Sequence, residues 1–251
     1  MRLRFLGTGD SAQVPVYNCE CSACVRATHD SSWRRRPCSA VIECGDQRWL
    51  IDSGRMDLTE LFPPGSLNGI LQTHYHADHA QGLLHLRWGV NCKIPVYGPE
   101  DPQGFADLFK HSGILDFSQH WKAFEQRKLG DMLVTAIPLQ HSRPCLGYVF
   151  SHQGKHIAYL TDTVGLPPDS LAYLQTLTLE YCIVDCSHPP QDTAPRNHND
   201  LNMALEIGKQ LRVKHLVLTH ISHKVDVWLM ENPETLSDSI LLAKDNGMIA
   251  V

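Results

Sequence analysis

The chain has 251 residues, 43% of them hydrophobic, which is enough for one large α/β domain with a full core. A net charge of −5 argues against the basic face that a duplex or tRNA binder presents, so no large nucleic acid is expected as partner. No apolar stretch is long enough to cross a bilayer, and Met1–Gly7 lacks the apolar run of a signal peptide, so no membrane partner and a cytoplasmic location are expected.

Along the chain, one local pattern recurs: a short apolar run ends in a residue able to bind a metal. Trp49-Leu50-Ile51 ends at Asp52, and 69–73 ends at His74. The run 133–140 ends at His141, and 157–161 at Asp162. Cys182-Ile183-Val184 ends at Asp185, and 215–219 at His220. Each run has the length and the aliphatic or β-branched content of a buried strand. Strand ends in α/β folds are where ligands gather, because a rigid sheet holds the loops there.

Helices are predicted between these strands. One is expected over Asp78–Trp88 and another over Leu166–Leu177, with Pro167 and Pro168 near its start. A third is expected over Leu201–Leu211, capped by Asn199 or Asp200. Alternation of strands and helices predicts an α/β architecture, and the absence of a linker predicts a single domain over 1–251. Gly7-Thr8-Gly9 lacks the spacing of a phosphate-binding fingerprint and predicts a tight turn after the first strand.

The densest chemistry is His74-Tyr75-His76-Ala77-Asp78-His79. In extended chain, residues two apart point to the same side, so His74 and His76 can hold one cation together. Asp78 and His79 follow where a helix is predicted to begin and can turn toward a second cation. A second cluster, Cys19-Glu20-Cys21-Ser22-Ala23-Cys24, brings three thiols into six residues in a zinc-binding loop at about 19–24. Adjacent thiolates repel without a cation, and tetrahedral zinc needs a fourth ligand. Cys38, Cys44, His29 and His223 all remain open for that position. The nine cysteines are odd in number and fit metal binding better than a disulfide framework.

His-x-His-x-Asp-His, followed by the strand-end residues His141, Asp162 and His220, resembles the signature of the metallo-β-lactamase superfamily. The resemblance covers the chain from Gly7-Thr8-Gly9 onward. It implies a four-layer αββα sandwich with a site along one edge. It implies that His74, His76 and His141 bind one divalent metal, that Asp78, His79 and His220 bind another, and that Asp162 bridges them. Asp52 is expected to orient a ligand histidine through its ring N–H. Such a set favours chemistry over structure, because it leaves positions for water and substrate, and two-metal sites neutralise charge on phosphoryl groups.

Within that superfamily, Cys-Glu-Cys-x-x-Cys resembles the cyclic-phosphate phosphodiesterases of the carbon–phosphorus lyase pathway of phosphonate catabolism. So do Asp185-Cys186-Ser187-His188-Pro189-Pro190, Ala194-Pro195-Arg196-Asn197-His198 and Thr219-His220-Ile221-Ser222-His223. This implies His223 as fourth ligand of a structural zinc with Cys19, Cys21 and Cys24. It implies His198 as the acid that protonates the leaving group, beside the catalytic Asp78. It implies two active-site metals, manganese or zinc. It also implies a small substrate, 5-phosphoribosyl 1,2-cyclic phosphate, with ribose 1,5-bisphosphate as product and 2′,3′-cyclic nucleotides as further substrates. A homodimer is compatible with this reading.

Rival readings are a tRNA 3′-processing endonuclease, which needs a basic glycine-rich arm not seen here, and a thioesterase or lactonase. A non-enzymatic binding protein of the PqqB type shares the cysteine loop, but its histidine motif is degraded. Among weaker signals, Arg34-Arg35-Arg36 reads as a solvated basic face. Arg143, two residues beyond His141, is a candidate phosphate contact, and His188 reads as polar support.

Overall fold

The computed structural model describes residues 1–193 and 195–251, so Ala194 of the quoted motif lies outside the described residues. One sheet contains β1 (Arg2–Gly7), β2 (Ser39–Cys44), β3 (Gln47–Ile51), β4 (Gly69–Leu71), β5 (Ile94–Gly98) and β6 (Leu115–His120). The other contains β7 (Gln126–Leu129), β8 (Met132–Pro138), β9 (Leu146–His152), β10 (Lys155–Leu160), β11 (Leu179–Asp185), β12 (His215–Thr219) and β13 (Ile240–Leu242). The last strand, β14 (Met248–Ala250), returns to the first sheet beside β1. The spatial orders are β14-β1-β2-β3-β4-β5-β6 and β13-β12-β11-β10-β9-β8-β7.

Alternation along the strands sorts the apolar residues into layers. Ile42, Ile51 and Leu71 of the first sheet meet Val134, Tyr148, Tyr159 and Ile183 of the second in a buried inter-sheet core. Their chain neighbours face outward. Val41, Leu50 and Ile70 pack under the short helices α2 (Leu58–Leu61), α3 (Ala77–Ala80) and α4 (Leu83–Leu86). Val149, Ala158, Val184 and Leu218 pack under α5 (Pro168–Gln175), α6 (Leu201–Leu211) and α7 (His223–Glu231). The result is the four-layer αββα sandwich. A further helix, α1 (Ser22–His29), carries Cys24 and lies against α7.

Helix α6 has the predicted bounds. Asp200 is its N-cap, accepting from the Met203 amide at 2.8 Å, and Leu201, Ala204, Ile207 and Leu211 form its buried stripe. Asn199 instead gives its side-chain amide to Asp185. The helix predicted over Asp78–Trp88 is two short helices. Between them the Gly82 amide donates to the Ser53 carbonyl at 2.8 Å rather than to the preceding turn. A side chain at Gly82 would meet the Arg55 carbonyl oxygen at 2.1 Å, so the loop after β3 and this break fit only through glycine. Helix α5 is shorter than predicted because a residue before proline is driven away from helical backbone, leaving Pro167 outside and Pro168 at the first turn.

Gly7-Thr8-Gly9 is not a tight turn. The segment runs on beside 35–37, with the Gly9 amide donating to the Arg36 carbonyl at 2.8 Å. A Cβ on Gly7 would lie 1.9 Å from the Pro37 oxygen, so close backbone approach is what requires glycine there.

Candidate metal centre

Strands β3 to β6 are parallel, as are β10 to β13. The C-terminal ends of β3, β4, β10, β11 and β12 carry Asp52, His74, Asp162, Asp185 and His220 to one edge, and the end of β8 adds His141. Asp52 (φ 56°) and His220 (φ 55°) both take left-handed backbone, which turns each side chain sharply off its strand. His76 precedes α3, and Asp78 and His79 sit within it.

His74 Nε2 and His141 Nε2 each lie 3.0 Å from His76 Nδ1, with His74 fully buried. Beside them, Asp78 Oδ2 is 3.3 Å from His220 Nε2 and 3.7 Å from His79 Nε2. Asp162 Oδ2 stands between the two groups. It is 3.1 Å from His79 Nε2, 3.4 Å from His220 Nε2, 3.7 Å from His74 Nε2 and 4.0 Å from His141 Nε2. The chain thus brings together every residue of the expected catalytic set.

The outer ring nitrogens show how the imidazoles are aimed. His79 Nδ1 donates to Asp52 Oδ2 at 2.7 Å, and His74 Nδ1 faces the Thr73 hydroxyl at 3.0 Å. His141 Nδ1 donates to the Asn197 carbonyl at 2.9 Å, and His220 Nδ1 faces the Ser187 hydroxyl at 2.8 Å. These partners hold Nδ1 outward in each ring and aim Nε2 toward the centre. Thr73, Ser187 and Asn197 were not singled out from sequence. The available signal was position: Thr73 and Ser187 lie within or beside strand-end runs already noted.

Burial first, and then the neighbouring histidines, hold His74 well below its ordinary pKa and His76 down to about 4. Burial likewise lowers His141. These three are neutral donors, the form that ligates. For His220, burial opposes protonation, but the carboxylates of Asp162 and Asp78 outweigh it and push the ring up to about 9. His79 is raised for the same reason by Asp162, Asp52 and Asp78. That half of the cluster calls for positive charge. The buried His79 Nε2 has no aligned hydrogen-bond partner although Asp162 is near, an orphaned donor atom that a cation would engage. The donor set therefore fits two divalent ions, one held by His74, His76 and His141, the other by Asp78, His79 and His220, with Asp162 reaching both.

A separate group lies at the cysteine loop. His223 Nδ1 is 3.3 Å from Cys19 Sγ, 3.5 Å from Cys21 Sγ and 3.7 Å from Cys24 Sγ. Of the other candidates for the fourth position, Cys38 lies with Asp52 and His79, Cys44 is in the inter-sheet core, and His29 is exposed at the end of α1. Three sulfurs and one imidazole are a closed zinc donor set.

His198 flanks the main cluster on the 186–200 connection. Its ring stacks on His220 with centroids 4.9 Å apart, and Nδ1 is buried without a hydrogen-bond partner, 3.5 Å from Asp185 Oδ2 and 3.8 Å from Asp162 Oδ2. Asp185 is fixed by the amides of Thr163 and Asn199, each at 3.0 Å.

Two expectations change. Arg143 is engaged by Asp101 Oδ2 at 2.6 Å and by the Gly104 carbonyl at 2.7 Å, so its guanidinium braces a loop and is not free for phosphate. Arg34-Arg35-Arg36 is not uniformly solvated. Arg35 is buried in a bidentate pair with Asp226 at 2.7 and 2.9 Å, while Arg34 and Arg36 are exposed.

A sandwich with metal-binding groups at one edge defines the class. Residues 23–221 match the beta-lactamase superfamily domain, and the chain belongs to that superfamily. It is 28% identical to a ribonuclease Z of Methanosarcina acetivorans over 68% of this chain and 56% of that protein. A ribonuclease Z of Parabacteroides distasonis is 27% identical over 51% of this chain and 49% of its own length. The chain thus spans about half the length of these curated relatives. The crystal structure of a diphosphatase from the PhnP family superposes with a TM-score of 0.81 at 27% identity, covering 99% of this chain and 97% of that one. Zinc-bound PqqB from Methylobacterium extorquens superposes at 0.80 with 17% identity, covering all of both chains, and shares the fold alone.

Proposed function

We propose that this protein is a metal-dependent phosphodiesterase of the PhnP type. It opens 5-phosphoribosyl 1,2-cyclic phosphate to ribose 1,5-bisphosphate and also accepts 2′,3′-cyclic nucleotides. The observation that carries this reading is His198: a histidine outside the ligand set, with a side chain 24% exposed, stacked on His220 and within 4 Å of Asp162. When bound, the two metals supply activation of water and offset of phosphoryl charge. Water adds to phosphorus, the P–O2 bond breaks, and the departing sugar oxygen must gain a proton. His198 is placed to give it, with Asp185 beside the ring. Thr73, Asp52, Ser187 and the Asn197 carbonyl keep the ligand rings aimed throughout.

The ribonuclease Z relatives support a second reading, cleavage of a tRNA precursor. Net charge −5 weighs against it, since affinity for a long polyanion comes chiefly from Lys and Arg on phosphates. The deciding experiment removes metal by chelation, restores zinc or manganese singly, and offers cyclic ribose phosphate, a 2′,3′-cyclic nucleotide and a tRNA precursor. Metal-dependent opening of the cyclic esters is the expected result. Cleavage of the precursor alone would overturn the proposal.

A further inference from the structure

The proposed substrate carries a second phosphate that does not react. We propose that His188 and Lys224 form a subsite for that phosphate, at the outer end of a line of side chains running from the metal centre through His198 to solvent. This rests on the cyclic-phosphodiesterase reading.

The strand pairing sets the arrangement. Asp185 of β11 is in register with Thr219 of β12, so the connections leaving these parallel strands start side by side. One carries His188 and the other leads through His220 into α7, where Lys224 is the second residue. The main chain holds His188 firmly, since its carbonyl accepts from the Leu201 amide at 3.0 Å and it bridges to Asp200, the cap of α6. Rings then follow outward in order. His220 is buried and stacks on His198, and the His198 ring lies 6.4 Å from that of His188 with an interplanar angle of 61°. His188 is half-buried and Lys224 exposed, so the line ends in solvent.

The charges agree with an anion at that end. Burial first, and then the neighbouring charges of His198 and Lys224, hold His188 below its ordinary pKa, opposed by Asp10 and Asp185. A bound dianion would hydrogen-bond to the imidazole and the ammonium together. With the reacting phosphoryl group at the metals, the ribose ring would lie along His198 and direct its 5-phosphate outward to His188.

The test compares two substrates on the metal-loaded enzyme: 5-phosphoribosyl 1,2-cyclic phosphate, and ribose 1,2-cyclic phosphate, which lacks the second phosphate. His188→Gln and Lys224→Met are measured beside the parent, with metal content and melting temperature confirmed. The parent should prefer the 5-phosphorylated substrate in kcat/KM, and each variant should reduce that preference about tenfold or more, mainly through KM. Variants that lose equally on both substrates, or a parent that shows no preference, would overturn the subsite while leaving the phosphodiesterase intact. A parent that opens neither cyclic ester would instead overturn the function on which the subsite rests.

Discussion

His79 Nδ1 lies 2.7 Å from Asp52 Oδ2, with both side chains fully buried. Asp52 also accepts from the Thr73 amide at 2.8 Å and from the Thr73 hydroxyl. One carboxylate therefore fixes His79 directly and His74 through Thr73, so it braces both halves of the metal centre without facing the substrate.

Asp52→Asn tests that bracing. Asparagine keeps the shape and tolerates the left-handed backbone at this position, but turns one of two accepting oxygens into an NH2 donor, so the loss reads the charge and one acceptor together. Metal affinity or turnover should fall by roughly 10–100-fold while the fold persists. Metal titration followed by circular dichroism checks both halves of that statement.

His76→Ala and Asp78→Ala each remove one donor from a different half of the centre. Each should lower metal content and abolish phosphodiesterase activity with little change in thermal stability. Elemental analysis with an assay on bis(p-nitrophenyl) phosphate measures this. Near-normal turnover in either variant would end the two-metal reading.

Cys21→Ser breaks the sulfur–imidazole group that ties the 19–24 loop to the start of α7. The variant should lose about one zinc and part of its thermal stability, because zinc binding contributes to folding. Activity should fall only through loosened placement of His220, three residues before His223. Full zinc content and an unchanged melting temperature would contradict the structural role.

His198→Ala should retain its metals and lose on the order of 10²–10⁴ in turnover on a cyclic alkyl phosphodiester. The loss should be far smaller on a p-nitrophenyl ester, whose phenolate leaves without a proton. Equal losses on both would mean that His198 positions the phosphate and does not protonate the leaving group.

Arg35→Ala leaves Asp226 buried without its partner and also frees Thr8 and the Ala243 carbonyl. Unfolding free energy should drop by about 3–5 kcal/mol. Pairing Arg35→Met with Asp226→Leu should recover a good part of it. Denaturant midpoints for the single and double variants give the comparison.

Strands β5 to β10 follow one another without the alternating helices that the sequence predicts, but the sequence by itself determined the strand-end runs, the bounds of α6 and the candidate ligands His74, His76, Asp78 and His79. Those features are local. Apolar runs and caps follow from nearest neighbours, and His-x-His-x-Asp-His states its own spacing. The break at Gly82, the extended path of Gly7-Thr8-Gly9, and the burial of Arg35 against Asp226 were decided by tertiary contacts with residues far along the chain. The same holds for the ring partners Ser187 and Asn197, and for the engagement of Arg143 by Asp101. A sequence shows which side chains can donate or accept. Only the packing of two sheets fixes which backbone carbonyl, hydroxyl or carboxylate lies within hydrogen-bond distance, and therefore which arginine is free and which histidine is held.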